Sequence, residues 1–129
     1  MRAGPLLRLA AWAQGIYYLL TGLWPLLHLP SFEWVTGPKT DDWLVRTVGL
    51  LVAAIGLGLL LAARRGRVAR EVAVTAAAAA LALAAVDVVY VADGTLRPVY
   101  LLDVPPELGF VVLWLLGWRA GAPAAPADK

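Results

Sequence analysis

The chain has 129 residues, 61% hydrophobic and 16% charged, with one histidine and no cysteine, and its mean hydropathy is +0.75. A water-soluble domain of this size could not cover its surface with so few polar side chains. The missing cysteines exclude a disulfide-stapled fold and a cysteine-ligated zinc or iron–sulfur centre, and one histidine is too few for a His-cluster metal site or a bis-histidine haem; an all-α membrane protein with no metal and no cofactor is what remains.

A bilayer core takes about 20 apolar residues as a helix, and four such stretches follow in order at about 6–29, 43–63, 72–92 and 96–118. They predict one four-helix transmembrane domain over 1–119 and a disordered Gly/Ala/Pro tail over 120–129. The first stretch is too long for a signal-peptide core, carries Tyr17 and Tyr18 mid-span and precedes no A-x-A site, so it is expected to stay as a helix. Pro30 to Asp42 reads as a loop.

Lysine and arginine in the short connections set the expected orientation. Arg2, Arg8, Arg64, Arg65, Arg67, Arg70, Arg119 and Lys129 fall on one side, Lys39 and Arg97 on the other, and Arg46 lies just inside the second stretch. Both termini and the RRGRVAR turn should face the cytoplasm of a bacterium, across its inner membrane. The net charge of +2 thus reflects topology, and no nucleic-acid partner is expected. Trp12, Trp114 and Trp118 should mark the inner interface, with Trp24, Trp34, Trp43, Tyr90 and Tyr100 at the outer one.

The acids are distributed unevenly. Of nine, only Glu71 and Asp128 fall on the cytoplasmic side. Thr40, Asp41 and Asp42 are expected to cap the second helix, whose dipole favours negative charge at its start. Asp87, Asp103 and Glu107 have no such explanation. At about 1.5 Å per residue, Asp87 and Asp103 lie some 8–10 Å below the outer end and Glu107 lies near the midplane, where an ionised carboxylate costs about 2.5–3.5 kcal/mol. Tyr100, Asp103 and Glu107 share one face of the fourth helix with Phe110, Val111 and Trp114. Pro105 and Pro106 between the acids should kink that helix and free backbone carbonyls. Asp87 and Tyr90 form a matching pair on the third.

The first helix carries Gln14, Tyr17, Thr21, Trp24 and His28 at spacings of 3, 4, 3 and 4, a polar stripe that must turn away from lipid. The second repeats that spacing with Arg46, Gly49, Ala53, Gly56 and Leu60: small residues for close approach, and Arg46 as the expected counter-ion. Ala76, Ala80 and Ala84 on the third read as tight packing. Together the stripes predict a polar cavity in the outer half, lined by Tyr17, Thr21, Trp24, His28, Arg46, Asp87, Tyr90, Tyr100, Asp103 and Glu107.

The segments WPLLHLPSFEWVTGPKTDDWLVRTVGLL (Trp24 to Leu51) and DVVYVADGTLRPVYLLDVPPE (Asp87 to Glu107) resemble a group of small bacterial four-helix membrane proteins, a resemblance that implies a fold and no activity. In architecture the chain is similar to the sigma-2 receptor and sterol isomerase family and to DoxX-like proteins. That similarity implies binding of amphiphilic amines or sterols between acids, and carries over no catalytic residue. No G-x-S-x-G, Walker A, H-E-x-x-H or dinucleotide-binding turn is present.

Three function classes follow. The first is a binding or carrier protein for a small hydrophobic or cationic amphiphile, held by the carboxylates and aromatic walls, with SFEWVTGPK as a lid. The second is a proton-coupled transporter using Glu107. The third is a lipid isomerase working with two facing carboxyl groups. An accessory subunit of a membrane complex, or a homo-oligomer, competes with all three.

Overall fold

The computed structural model describes residues 4–121, and every regular element in it is helical. They are α1 (Pro5–Leu27), α2 (Leu29–Thr36), α3 (Asp42–Arg65), α4 (Arg70–Ala92), a 3-10 segment (Pro98–Leu102) and α5 (Val104–Gly121). Three segments are long and apolar enough to cross a membrane: Asp42–Arg65, Arg70–Ala92 and Pro98–Ala120. The expected tail from 122 onward, with Arg2 and Lys129, lies outside the described residues.

Two departures from the sequence expectation have local causes. The stretch expected as a loop contains α2, because His28 Nδ1 accepts from Ser31 N at its start and Pro30 occupies the first turn, where no N–H is needed. The fourth apolar stretch is divided rather than kinked in mid-helix. Its first part is the 3-10 segment, and Pro105 and Pro106 fall in the opening turn of α5, where their missing N–H groups leave no bond unmade. A third expectation changes in detail: Asp41 occupies the N-cap of α3 without a side-chain cap bond, and Asp42 turns its carboxyl towards Glu33.

α1 is the centre of the bundle. It packs along α3 on one side and α5 on the other, and α4 packs on α5. The α1–α3 contact is a crossing of glycines. A Cβ on Gly22 would stand 2.5 Å from Ala53 N and 2.6 Å from Gly49 O, and one on Gly56 2.6 Å from Leu19 N. Both helices therefore repeat glycine at i and i+7, Gly15 and Gly22 against Gly49 and Gly56, so the backbones touch. Ala73, Ala76, Ala80 and Ala84 form the buried face of α4, as their small-residue spacing implies. α3 and α4 barely touch one another.

Candidate functional site: an acidic cavity at one end of the bundle

The end of the bundle away from the arginines of the α3–α4 turn holds a cavity of about 610 Å³. Its polar floor comes from α1, α4 and the junction of the 3-10 segment with α5: Tyr17, Asp87, Asp103 and Glu107. Val45, Val48 and Val52 of α3 and Leu83 and Val86 of α4 form an apolar wall. Over them lie Trp24, Phe32 and Lys39.

Glu107 is 1% exposed and accepts from the hydroxyl of Tyr18, itself fully buried, at 2.7 Å. Its position follows from the face shared with Phe110 and Trp114, all three buried. Tyr17 donates to Asp103, and both tyrosine rings pack edge-on against Phe110, at centroid separations of 5.5 and 6.3 Å. The Asp103 carboxyl lies close to those of both Asp87 and Glu107. Asp87 Oδ2 is buried without a hydrogen-bond partner. The floor thus gathers three carboxyl groups, two of them served by tyrosine hydroxyls and one left with a buried, unpartnered oxygen.

Of the ten residues expected to line the cavity, Tyr17, Thr21, Trp24, Asp87, Tyr100, Asp103 and Glu107 do. His28, Arg46 and Tyr90 do not. His28 is exposed and spends its ring nitrogen and carbonyl on Ser31. Arg46 is exposed beside Glu33 rather than among the three acids, because one turn of helix from Asp42 carries it to the rim. Tyr90 is 44% exposed; three residues beyond Asp87, it points out at the end of α4. Thr21 turns its hydroxyl back to its own helix, donating to Tyr17 O at 2.7 Å.

Lys39, Tyr18 and Phe110 were not singled out as site residues by the sequence. Lys39 is the cation that lines the cavity, yet its Nζ is engaged by the carbonyls of Thr36 at 3.1 Å and Gly37 at 2.9 Å and sits 5.2 Å from the centre of the Tyr100 ring. Tyr18 could have been found from its place one turn after Gln14 on the buried seam that continues to Gly22 and Pro25.

The cover is hinged and latched. Trp24 Nε1 donates to Ser31 Oγ at 2.9 Å, and the Trp24 and Phe32 rings meet edge-on at 5.4 Å. Gly37, at φ 102°, ends α2; a Cβ there would stand 2.8 Å from Arg97 Nε, so only glycine fits both the conformation and the contact. Glu33 and Asp42 face each other across the latch, each with a buried, unpartnered oxygen. The opposing Asp42 carboxyl holds the Glu33 carboxyl above the usual carboxylate range, with desolvation adding to it and Lys39 and Arg46 pulling the other way.

Beneath the floor, one turn from Tyr17 and Tyr18 towards the arginine end, lies Gln14. This side chain is fully buried, donates to Ala76 O at 2.9 Å and accepts from Trp114 Nε1 at 2.6 Å. Trp114, expected at an interface, is therefore a core residue, 2% exposed, drawn in by the one acceptor within reach of its ring N–H. Trp34 and Trp43 are strongly exposed, consistent with interfacial anchors. Comparison with protein-family models, with curated proteins and with solved structures returns no match for this chain.

Proposed function

We propose that the protein is a four-span bacterial inner-membrane protein that binds a hydrophobic small molecule bearing a cationic amine, with the amine on Asp87 and the apolar body against the valine wall. The fourth span is α1. It is 23 residues long, or about 35 Å at 1.5 Å per residue, and its polar groups Gln14, Tyr17 and Tyr18 find partners inside the bundle. Arg8, Arg64, Arg65, Arg67, Arg70 and Arg119 lie towards one end against Lys39, Arg46 and Arg97 at the other, which favours both termini on the cytoplasmic side and the cavity facing outwards.

The observation that carries the binding function is the buried, unpartnered Asp87 oxygen in a cavity that also holds Asp103 and Glu107. Three carboxyl groups in a low-dielectric site need compensating positive charge or protons. Arg46 is too far out to supply the charge, and Lys39 is tied to carbonyls at the rim. A ligand amine would supply it, and Trp24 and Tyr100 would add aromatic faces.

Two competing functions find less support. A proton path to the arginine end finds one polar side chain below the floor, Gln14, whose amide is already engaged by a carbonyl and an indole N–H. An isomerase would need two carboxyls apart, flanking a substrate; here the three are grouped around Asp103. The test is thermal unfolding in nanodiscs against a panel of amphiphilic amines. At a free concentration 100 times Kd a bound amine stabilises by about 2.7 kcal/mol; Asp87→Asn should fold and lose that shift. A panel that shifts neither protein refutes the proposed function.

A further inference from the structure

Of the helix pairs that follow one another around the bundle, α3 and α4 pack least closely. On α3 the cavity wall of Val45, Val48 and Val52 continues as Ile55, Gly58 and Leu59, which line a second hollow of about 280 Å³. On α4, running the opposite way, Val86 and Leu83 are followed by Ala76, Thr75 and Val72 around that same hollow. Val45, Val48, Val52, Ile55 and Leu59 on α3, and Val86, Leu83, Ala76 and Val72 on α4, are three, four or seven residues apart and so share one face of each helix. The two hollows therefore lie along a single seam, apolar until Glu71 at the start of α4 marks its far end. From Val45 to Gly58 the seam runs about 20 Å at 1.5 Å per residue.

We propose that this seam is a groove for a hydrocarbon chain, and that the ligand is a long-chain amine or amine-headed lipid. Its head rests on Asp87 and its tail lies between α3 and α4 towards the arginine end. This assignment rests on the amine-binding function above and names the ligand's class. Three features of the seam select a chain. Its hollow begins one turn beyond Val52 of the acidic cavity, at Ile55, so one molecule with a cationic head and an apolar tail would reach both. Gly58 leaves it unfilled: a Cβ there meets nothing within 4 Å. A gap between two helices in the bilayer is filled by hydrocarbon, since a void forfeits the contacts of its lining. The ligand then needs no aqueous route past the α2 cover, because it enters sideways from the membrane.

Gly58 gives a clean handle. Gly58→Phe fills the hollow at a site with open space and removes a helix-weakening glycine, so the fold should survive. Gly109 on α5 has equally open surroundings, and Gly109→Phe is the control. The probe is hexadecylamine carrying a photoreactive diazirine near the tail end, used with protein in phosphatidylcholine nanodiscs; butylamine, which has the head and no tail, is assayed separately by thermal shift. The expected result is labelling at Ile55, Leu59 and Val72, lost in Gly58→Phe, retained in Gly109→Phe and lost in Asp87→Asn, while butylamine stabilises Gly58→Phe as it does the native chain. Labels scattered over the lipid-facing sides of all helices and indifferent to Gly58→Phe overturn the groove. So does seam labelling that ignores Asp87→Asn, or a cross-linked dimer joined through the seam. If Asp87-dependent stabilisation by butylamine persists in those cases, amine binding stands and only the groove falls; if butylamine does nothing, amine binding itself fails.

Discussion

Alanine in place of glycine should have opposite consequences at two positions of the same helix, nine residues apart. At Gly49 the added methyl carbon would stand 2.5 Å from Gly22 O and 3.1 Å from Pro25 Cγ. The nearer neighbour is a backbone oxygen inside α1, which cannot rotate away. To restore an ordinary contact of 3.4 Å, the α1–α3 crossing must widen by about 0.9 Å. Widening loosens every glycine contact along it, including Gly56 against Leu19. Overpacking of this type costs about 1–3 kcal/mol, from which the gain in helix propensity, about 1 kcal/mol at most, is to be subtracted. At Gly58 the methyl meets nothing, and only the propensity gain remains. Six tryptophans make fluorescence-monitored thermal unfolding in detergent a suitable assay. Gly49→Ala should lower Tm by several degrees, and Gly58→Ala should raise it slightly. Equal effects of the two substitutions would refute the close crossing.

Tyr18→Phe removes the hydroxyl that serves buried Glu107 and should destabilise by about 1–3 kcal/mol; adding Glu107→Gln should recover part of the loss, as read by a double-mutant cycle. Asp87→Asn, which retains volume and removes a carboxylate with an unpartnered oxygen, should raise the Tm of the ligand-free protein while abolishing the amine shift. The latch between Glu33 and Asp42 should depend on pH. Because the folded Glu33 carboxyl is held above its ordinary value, the folded protein binds the proton more readily. The contact's contribution is then complete below the usual carboxylate range and lost as pH rises through the folded value. Proteolysis of the 28–41 connection should accelerate over that window in the native protein and not in Glu33→Gln.

The helical class and the apolar segments could be read from the chain, and so could the depth of Asp87, Asp103 and Glu107, whereas their convergence depends on helix rotation, which depth along a helix does not fix. The glycines of α3 could be read too, though their partners Gly15 and Gly22 were masked by the more conspicuous polar stripe beside them. Rotation is where spacing alone failed. Gln14 fits two overlapping seams, one through Tyr17 and one through Tyr18, and both are used: Tyr17 faces the cavity and Tyr18 the core. Arg46 was assigned to the acids by sign of charge, but a position one turn into α3 decides its place, and that turn ends at the rim. Lys39 lay in a segment read as loop, where the direction of a side chain depends on α2 and on Gly37, neither visible as a periodic pattern.

The polar side chains of α1 have their partners late in the chain: Gln14 at Ala76 and Trp114, Tyr17 at Asp103, Tyr18 at Glu107. The glycine crossing with α3 needs nothing beyond Arg65. Biogenesis therefore has two stages of unequal security. An α1–α3 hairpin can zip together by backbone contact while α4 is still being made, but its polar groups stay bare until α4 supplies Ala76 for Gln14 and the last part of the chain supplies Asp103, Glu107 and Trp114, across some of the longest sequence intervals the chain possesses. A chain interrupted before Val104 would hold Ala76 and Asp103 but lack Glu107 and Trp114, leaving the Tyr18 hydroxyl and the Gln14 amide oxygen buried without their partners.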